Sequence, residues 1–223
     1  MNYAPKKEYV EQECLTAEEA QKLVCLLDGE PENRKAATLI ALCSGMRRSE
    51  LYALKWDSID IDTCTVSICK TAVYVAKQGI VNGDTKNKKS TRVIKLPSCC
   101  QRVLLEYRAW YNEQRLACGD QWHDSNRLFV TWNGEPESPE NFTTWFRTFR
   151  RKNNLSEGLH PHSLRHTNAT LQIGAHQDIK TVSSRLGHSQ TSTTLNVYAH
   201  AIQEADATAA EVLNDLLTPS KKA

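Results

Sequence analysis

Three observations predict a mainly α-helical chain carrying a small antiparallel β-sheet, an α+β architecture. Apolar residues recur at helical spacing from Thr16 to Gly45 and again after Pro97. Between them, from Thr63 to Leu96, the pattern alternates and is rich in Val, Ile and Thr, as in strands. Cap and turn residues stand at the junctions. The chain has 223 residues, 40% hydrophobic and 24% charged, which is an ordinary globular composition and enough for one generous domain. No apolar run approaches the roughly 20 residues of a membrane span, and MNYAPKKEYV at the start lacks the apolar core of a signal peptide. A cytoplasmic protein with no membrane partner is expected.

Taken in order, residues 1–13 are polar and read as a lead-in or linker, residues 14–217 as the domain, and 218–223 as a tail. LTAEEAQKLVCLLDGE opens with Thr16 and has Glu19 three residues on, a capping box, followed by the stripe Leu23, Leu26, Leu27. Pro31 begins a second helix, ENRKAATLIALCSG, stopped near Gly45. TCTVSICK, TAVYVAKQG and STRVIKL are strand-like, with Asn82-Gly83 as the turn signal before the last of them. The polar loop NGDTKNKKS joins the last two strands. SCCQRVLLEYRAWYNEQRLACG is a long helix whose Val103, Leu104, Tyr107, Trp110 and Tyr111 form a core stripe. NRLFVTWNGEPESPENFTTWFRTFRRKNN reads as a short strand, a turn at Gly134 and an amphipathic helix after Pro139. Helical spacing returns around His162 and before Gly187, and AHAIQEADATAAEVLNDLL closes the domain as an alanine-rich helix.

Eight cysteines are scattered without a CxxC pair, and several fall inside apolar patterns, so they read as reduced, buried thiols. The net charge of +2 is too small to announce a nucleic-acid partner, yet it is polarised. Basic residues outnumber acidic ones between Lys70 and Arg115, while Glu204, Asp206, Glu211 and Asp215 make the last helix acidic. A basic face can contact phosphate; solvated surface charge is the plainer reading.

The chemistry concentrates in HPHSLRHTNATLQIGAHQDIKTVSSRLGHSQTSTTLNVY, residues 160–198. His162 and Arg165 stand three apart, so one helix face can carry both. A guanidinium grips two phosphate oxygens at once and stays charged at physiological pH. Gly187 can end a helix, His188 follows it, and Ser192 or Thr193 can cap the next, near whose end lies Tyr198. Alone, each is ordinary: a solvated His-Arg face, or a tyrosine packed in a core. His160, His162 and His166 do not suggest a metal site, because no carboxylate or cysteine lies at ligand spacing and Pro161 restricts the backbone.

The order H-x-x-R, then L-G-H, then a tyrosine ten residues on resembles the tyrosine recombinase or phage integrase family. Gly187, His188, Thr193, Thr194, Tyr198 and His200 all sit where that pattern has them. GMRRSEL from Gly45 to Leu51 resembles the family's first arginine motif, with Met46 in the place of the usual leucine. The resemblance covers about residues 14–217 and implies a catalytic domain. It assigns Arg47 and Arg165 to the non-bridging oxygens, His188 as a third donor, Tyr198 as the nucleophile and His162 as acceptor of its proton. Lys86 would protonate the departing 5′-oxygen to release the 5′-hydroxyl, and Glu50 would orient Arg47 or a histidine. Lys88, Lys89 and Arg92 would touch the DNA backbone.

What the resemblance implies is site-specific cleavage and rejoining of DNA through a 3′-phosphotyrosine, with no cofactor and no metal. The setting would be integration or excision of a mobile element, such as a prophage or conjugative transposon, in a bacterial host. Its partner would be double-stranded DNA at attachment sites, acted on by a homotetramer joined through the C-terminal helix, with an excisionase or host DNA-bending protein as possible accessories. On DNA the protein would be nucleoid-associated. The helical core-binding domain that usually precedes this domain in the family is expected to be absent. Two alternatives share parts of this reading: a non-catalytic DNA-binding protein, and a type IB topoisomerase.

Overall fold

The computed structural model describes residues 13–75, 79–84, 91–187 and Leu217. Helix α1 (Ala17–Leu26) starts as the sequence predicts: Thr16 Oγ1 accepts from the Glu19 backbone N–H at 3.2 Å, and the Thr16 N–H donates to Glu19 Oε2 at 2.9 Å. Helix α2 (Glu32–Ser44) ends at Gly45, whose φ of 63° lets its N–H reach the Ala41 carbonyl. Ala36, Ala37, Leu39, Ile40, Ala41 and Leu42 are all buried, so α2 is a central helix hidden on nearly every side. It packs mainly against α4 (Ser98–Cys118) and α6 (Pro161–Gly174).

A single turn, α3 (Arg48–Leu51), leads into the strands. β1 (Ile59–Asp60) pairs antiparallel with β2 (Thr65–Ile68), and β2 with β5 (Arg92–Lys95), in the register Ile59↔Val66 and Val66↔Ile94. β3 (Lys70–Val75) and β4 (Gly79–Asp84) form a separate two-stranded ribbon rather than extending that sheet. The expected Asn82-Gly83 turn is not one. Both residues lie inside β4, opposite Ala72 and Thr71, and the chain reverses between Val75 and its partner Gly79. Gly79 has the positive φ, 75°, that a tight reversal needs; Gly83 does not.

Helix α5 (Pro139–Lys152) buries Phe142, Phe146 and Phe149 as one stripe, and α7 (Ile179–Leu186) closes the described fold at Gly187. The strand expected around Leu128–Val130 is also corrected. The segment makes only isolated bridges, Lys55↔Arg127 and Val130↔Pro136, because its backbone partners are spread over different segments: Leu128 N–H donates to Leu54 and Phe129 accepts from Glu137. Its side chains serve the core instead. Tyr107 stacks on Phe129 with ring centroids 5.7 Å apart, and its hydroxyl donates to the Leu128 carbonyl at 2.7 Å.

All eight cysteines are free, but the expectation that they are buried holds only for Cys64 and Cys100; Cys14, Cys25, Cys69 and Cys99 are exposed. Among the described residues no helix is long and apolar enough to cross a membrane.

Candidate active site

The site is built on the C-terminal end of α2. A helix leaves its last carbonyls unpaired, and here α6 supplies the donors. Asn168 Nδ2 donates to the carbonyls of Leu42 (2.8 Å) and Cys43 (3.1 Å), and Arg165 Nη1 donates to that of Gly45 (2.7 Å). The approach is close enough that a Cβ on Gly45 would stand 2.7 Å from Asn168 Oδ1 and 2.6 Å from Leu186 Cδ2. Glycine is therefore required twice at this position, by its left-handed φ and by the lack of room. Arg47 follows two residues on, so the grip of Arg165 on Gly45 ties the two arginines together.

Arg47 then opens α3, and Glu50 turns back to it. The Glu50 side chain is 1% exposed, yet its carboxylate carries four charge-assisted hydrogen bonds. Arg47 donates from its backbone N–H (2.7 Å) and from Nη1 (3.1 Å). Arg92, on β5, donates from Nη1 (3.2 Å) and Nη2 (3.0 Å). Burial alone would raise the Glu50 carboxyl above its ordinary pKa, but the Arg92 hydrogen bond and charge, and after them Arg47, together outweigh it and hold the carboxyl below. Glu50 is an ionised brace between two guanidiniums.

Arg92 is the main departure from expectation. Instead of reaching outward to DNA, its side chain is 7% exposed and spans three elements, with Nε also donating to the Arg185 carbonyl of α7 at 2.6 Å. A Cβ on Gly187 would come within 2.7 Å of Arg92 Nη1, and Gly187 has a φ of 69°. The glycine of the L-G-H motif is thus demanded by the same brace. Arg48 points away, pairing with Glu140 at 2.6 Å and hydrogen-bonding Thr143 of α5.

His162 stands one turn before Arg165 on α6, its ring edge-on to His166 with centroids 4.6 Å apart. Desolvation of the ring, then the positive charges of Arg165, His160 and Arg47, push its pKa from 6.5 down to about 4. The neutral imidazole is therefore a proton acceptor across the physiological range. In ring-nitrogen NMR of the DNA-free protein, His162 should titrate with a midpoint near 4, and Arg165→Ala should raise it; a midpoint at 6.5 would contradict this geometry. Because the folded value lies below the unfolded one, the contribution of this group to stability is complete above about 6.5 and is lost as pH falls toward 4.

Arg47, Glu50, His162 and Arg165 are thus brought together by the ends of α2 and α6. Lys86, Lys88, Lys89, His188, Tyr198 and His200 lie outside the described residues. Arg147 and Arg151 are exposed on α5, whereas Arg150 turns back to the carbonyls of Glu157 and Leu159 before α6. Two contributors escaped the sequence reading. Asn168, three residues past Arg165, had a signal: helical spacing puts it on one face with Leu164, Arg165 and Leu171. His160 had a weaker one, an N-cap position before Pro161; its Nδ1 accepts from the Ser163 N–H at 3.1 Å.

Solved structures share this fold. The Tn1549 transposon integrase, solved with transposon right-end DNA, matches with a TM-score of 0.78 and 21% identity, covering 95% of this chain and 69% of that one. The XerA recombinase matches with a TM-score of 0.70 and 21% identity, over 95% and 68%. The arrangement is that of a tyrosine recombinase catalytic domain. The chain belongs to the phage integrase family, whose pattern it matches over residues 13–205. A "Tyrosine recombinase XerC-like" protein of Caldanaerobacter subterraneus subsp. tengcongensis is 29% identical over 215 residues, 92% of this chain and 54% of the relative. The ICEBs1 integrase of Bacillus subtilis is 25% identical over 200 residues, 90% and 54%. The chain spans about half the length of these curated relatives.

Proposed function

We propose that residues 14–217 cut and rejoin duplex DNA at specific sites through a 3′-phosphotyrosine on Tyr198, as the catalytic part of a mobile-element integrase. The observation that carries this reading is that Arg165, held on the Gly45 carbonyl, and Arg47, held by the buried Glu50, both lie close enough to His162 to depress its pKa. Two fixed guanidiniums beside a neutral imidazole suit a phosphodiester: the cations bind non-bridging oxygens and stabilise the charge that builds in the transition state. Arg47, 41% exposed in its side chain, meets the phosphate first, and Arg165 lies behind it against the Gly45 carbonyl.

A tyrosine hydroxyl with a pKa of about 10 is a weak nucleophile at neutral pH. His162 accepts its proton as the oxygen attacks phosphorus, and Lys86 delivers a proton to the departing 5′-oxygen, which leaves as the hydroxyl, each step worth about 10²–10⁴-fold. His188 adds a donor to the phosphate. The phosphotyrosine preserves an ester bond, so attack by the 5′-hydroxyl of another strand rejoins the DNA without ATP. Lys88 and Lys89 contact the backbone, while Arg92 acts from beneath as the positioning partner of Glu50. Strand exchange takes place in a homotetramer on synapsed attachment sites, linked through the C-terminal helix and assisted by an excisionase or a host bending protein.

The test is incubation with nicked half-site DNA from a panel of candidate attachment sites, in the presence of a chelator. A denaturant-resistant protein–DNA adduct should form, and peptide mapping should place the DNA on Tyr198. Stable binding to a site with no adduct, or an adduct on another residue, would overturn the proposal.

A further inference from the structure

Away from the arginine cluster, the packing of α2 on α4 assembles a group that spacing in the sequence conceals. Cys43 lies in the last turn of α2, and Cys99 and Cys100 in the first turn of α4. Their three sulfurs all lie within 4.8 Å of one another. We infer that Cys43, Cys99 and Cys100 form a binding site for one thiophilic d10 metal ion of the zinc class, joining the end of α2 to the start of α4.

The geometry favours a metal over a disulfide. Tetrahedral zinc with bonds of about 2.3 Å to sulfur sets its thiolates roughly 3.8 Å apart. Thiols already inside 4.8 Å reach that spacing by small side-chain rotations. A disulfide would need a separation of about 2.05 Å and would leave the third thiol without a role. The electrostatics agree. Cys99 and Cys100 are the second and third residues of a 21-residue helix, where unpaired N–H groups and the helix dipole favour negative charge. Three thiolates on a divalent ion leave one net negative charge, and Arg185 lines a groove together with Cys43, Leu42, Pro97 and Leu171. Arg185 is held there by its Nη2 donating to the Lys95 carbonyl at 3.1 Å.

The ligands are also reachable. Cys99 is exposed and Cys43 half-buried, while Cys100 is buried beneath them. On binding, each thiol passes its proton to solvent as its sulfur–metal bond forms, and the fourth coordination position is left to a solvent ligand. An ion here would stiffen the helix end that presents Gly45 and Arg47, beside the grip that Asn168 of α6 already has on the Cys43 carbonyl.

The experiment needs no DNA, so its outcome is separate from that of the recombinase assay. The full chain, reduced and stripped of metal, is titrated with Co²⁺ as the probe. A thiolate-to-cobalt charge-transfer absorption should rise and saturate at one ion per chain, and Zn²⁺ should displace it. Cys43→Ser and Cys99→Ser should each abolish the band, whereas Cys25→Ser, at an exposed thiol on α1, should leave it intact. Cys99 is exposed, so its variant decides the matter even if Cys100→Ser fails to fold. No band in the reduced wild type, or a band that persists in both Cys43→Ser and Cys99→Ser, overturns the inference. Loss of two thiols on mild oxidation, without any cobalt band in the reduced protein, would overturn it in favour of a disulfide.

Discussion

An Arg165→Ala protein should form the covalent DNA adduct about 10²–10³-fold more slowly than wild type at saturating DNA, the usual cost of removing one fixed donor to a transition-state oxyanion. Two effects act together at this position. The guanidinium supplies charge where the phosphate gains it, and its Nη1 also holds the Gly45 carbonyl at 2.7 Å, which keeps the Arg47 loop in place. Arg165→Lys separates the two. Lysine keeps the charge but offers one flexible ammonium in place of a planar fork, so it cannot serve the carbonyl and a phosphate with the same geometry. The lysine variant should therefore stay well below wild type in adduct formation while binding an uncleaved site with similar affinity. Adduct rates within tenfold of wild type for Arg165→Ala would remove Arg165 from the phosphate site.

How much of this was legible in the sequence depended on how local the cause was. The Thr16 capping box and the glycine stops at Gly45 and Gly187 follow from a few neighbouring residues, and they stand where the residue types placed them. The Arg47–Glu50 pair was visible as an i,i+3 spacing, but its burial was not: that comes from Arg92, which arrives on β5 from 42 positions away. The Asn82-Gly83 dipeptide carries strong turn chemistry, yet pairing of Val73 with Val81 kept it inside a strand and left the reversal to Gly79. Cys43 and Cys99 meet only because α2 packs on α4, and no spacing rule reports a contact of that kind. The residue types proposed for catalysis are a matter of sequence; the braces beneath Arg47 and Arg165 belong to tertiary packing.

That packing makes Glu50 the residue whose loss the fold should feel most. Glu50→Ala deletes a carboxylate that is 1% exposed and strips Arg92, 7% exposed, of its Glu50 partner. Breaking a buried ion pair from one side typically costs about 3–5 kcal/mol, because the remaining charge stays desolvated. For a chain of this size, that corresponds to a fall in Tm of about 6–20 °C. Glu50→Gln should fall between wild type and Glu50→Ala, since an amide oxygen can still accept from Arg92 but carries no charge and its NH₂ faces another donor. Acid should narrow the gap. The Glu50 carboxyl is held below its ordinary 4.5, so its contribution is complete above that value and is lost as pH falls through the lower folded one. Wild type and Glu50→Gln should therefore converge in Tm on acidification below 4.5. The catalytic cost should exceed the structural one: at a temperature where Glu50→Ala is still folded, Arg47 loses the acceptor that fixes both its backbone and its guanidinium, and adduct formation should fall further than DNA binding. A Glu50→Ala protein that melts within 2 °C of wild type, read by calorimetry at neutral pH, would mean that the four hydrogen bonds on this carboxylate do not hold the site together.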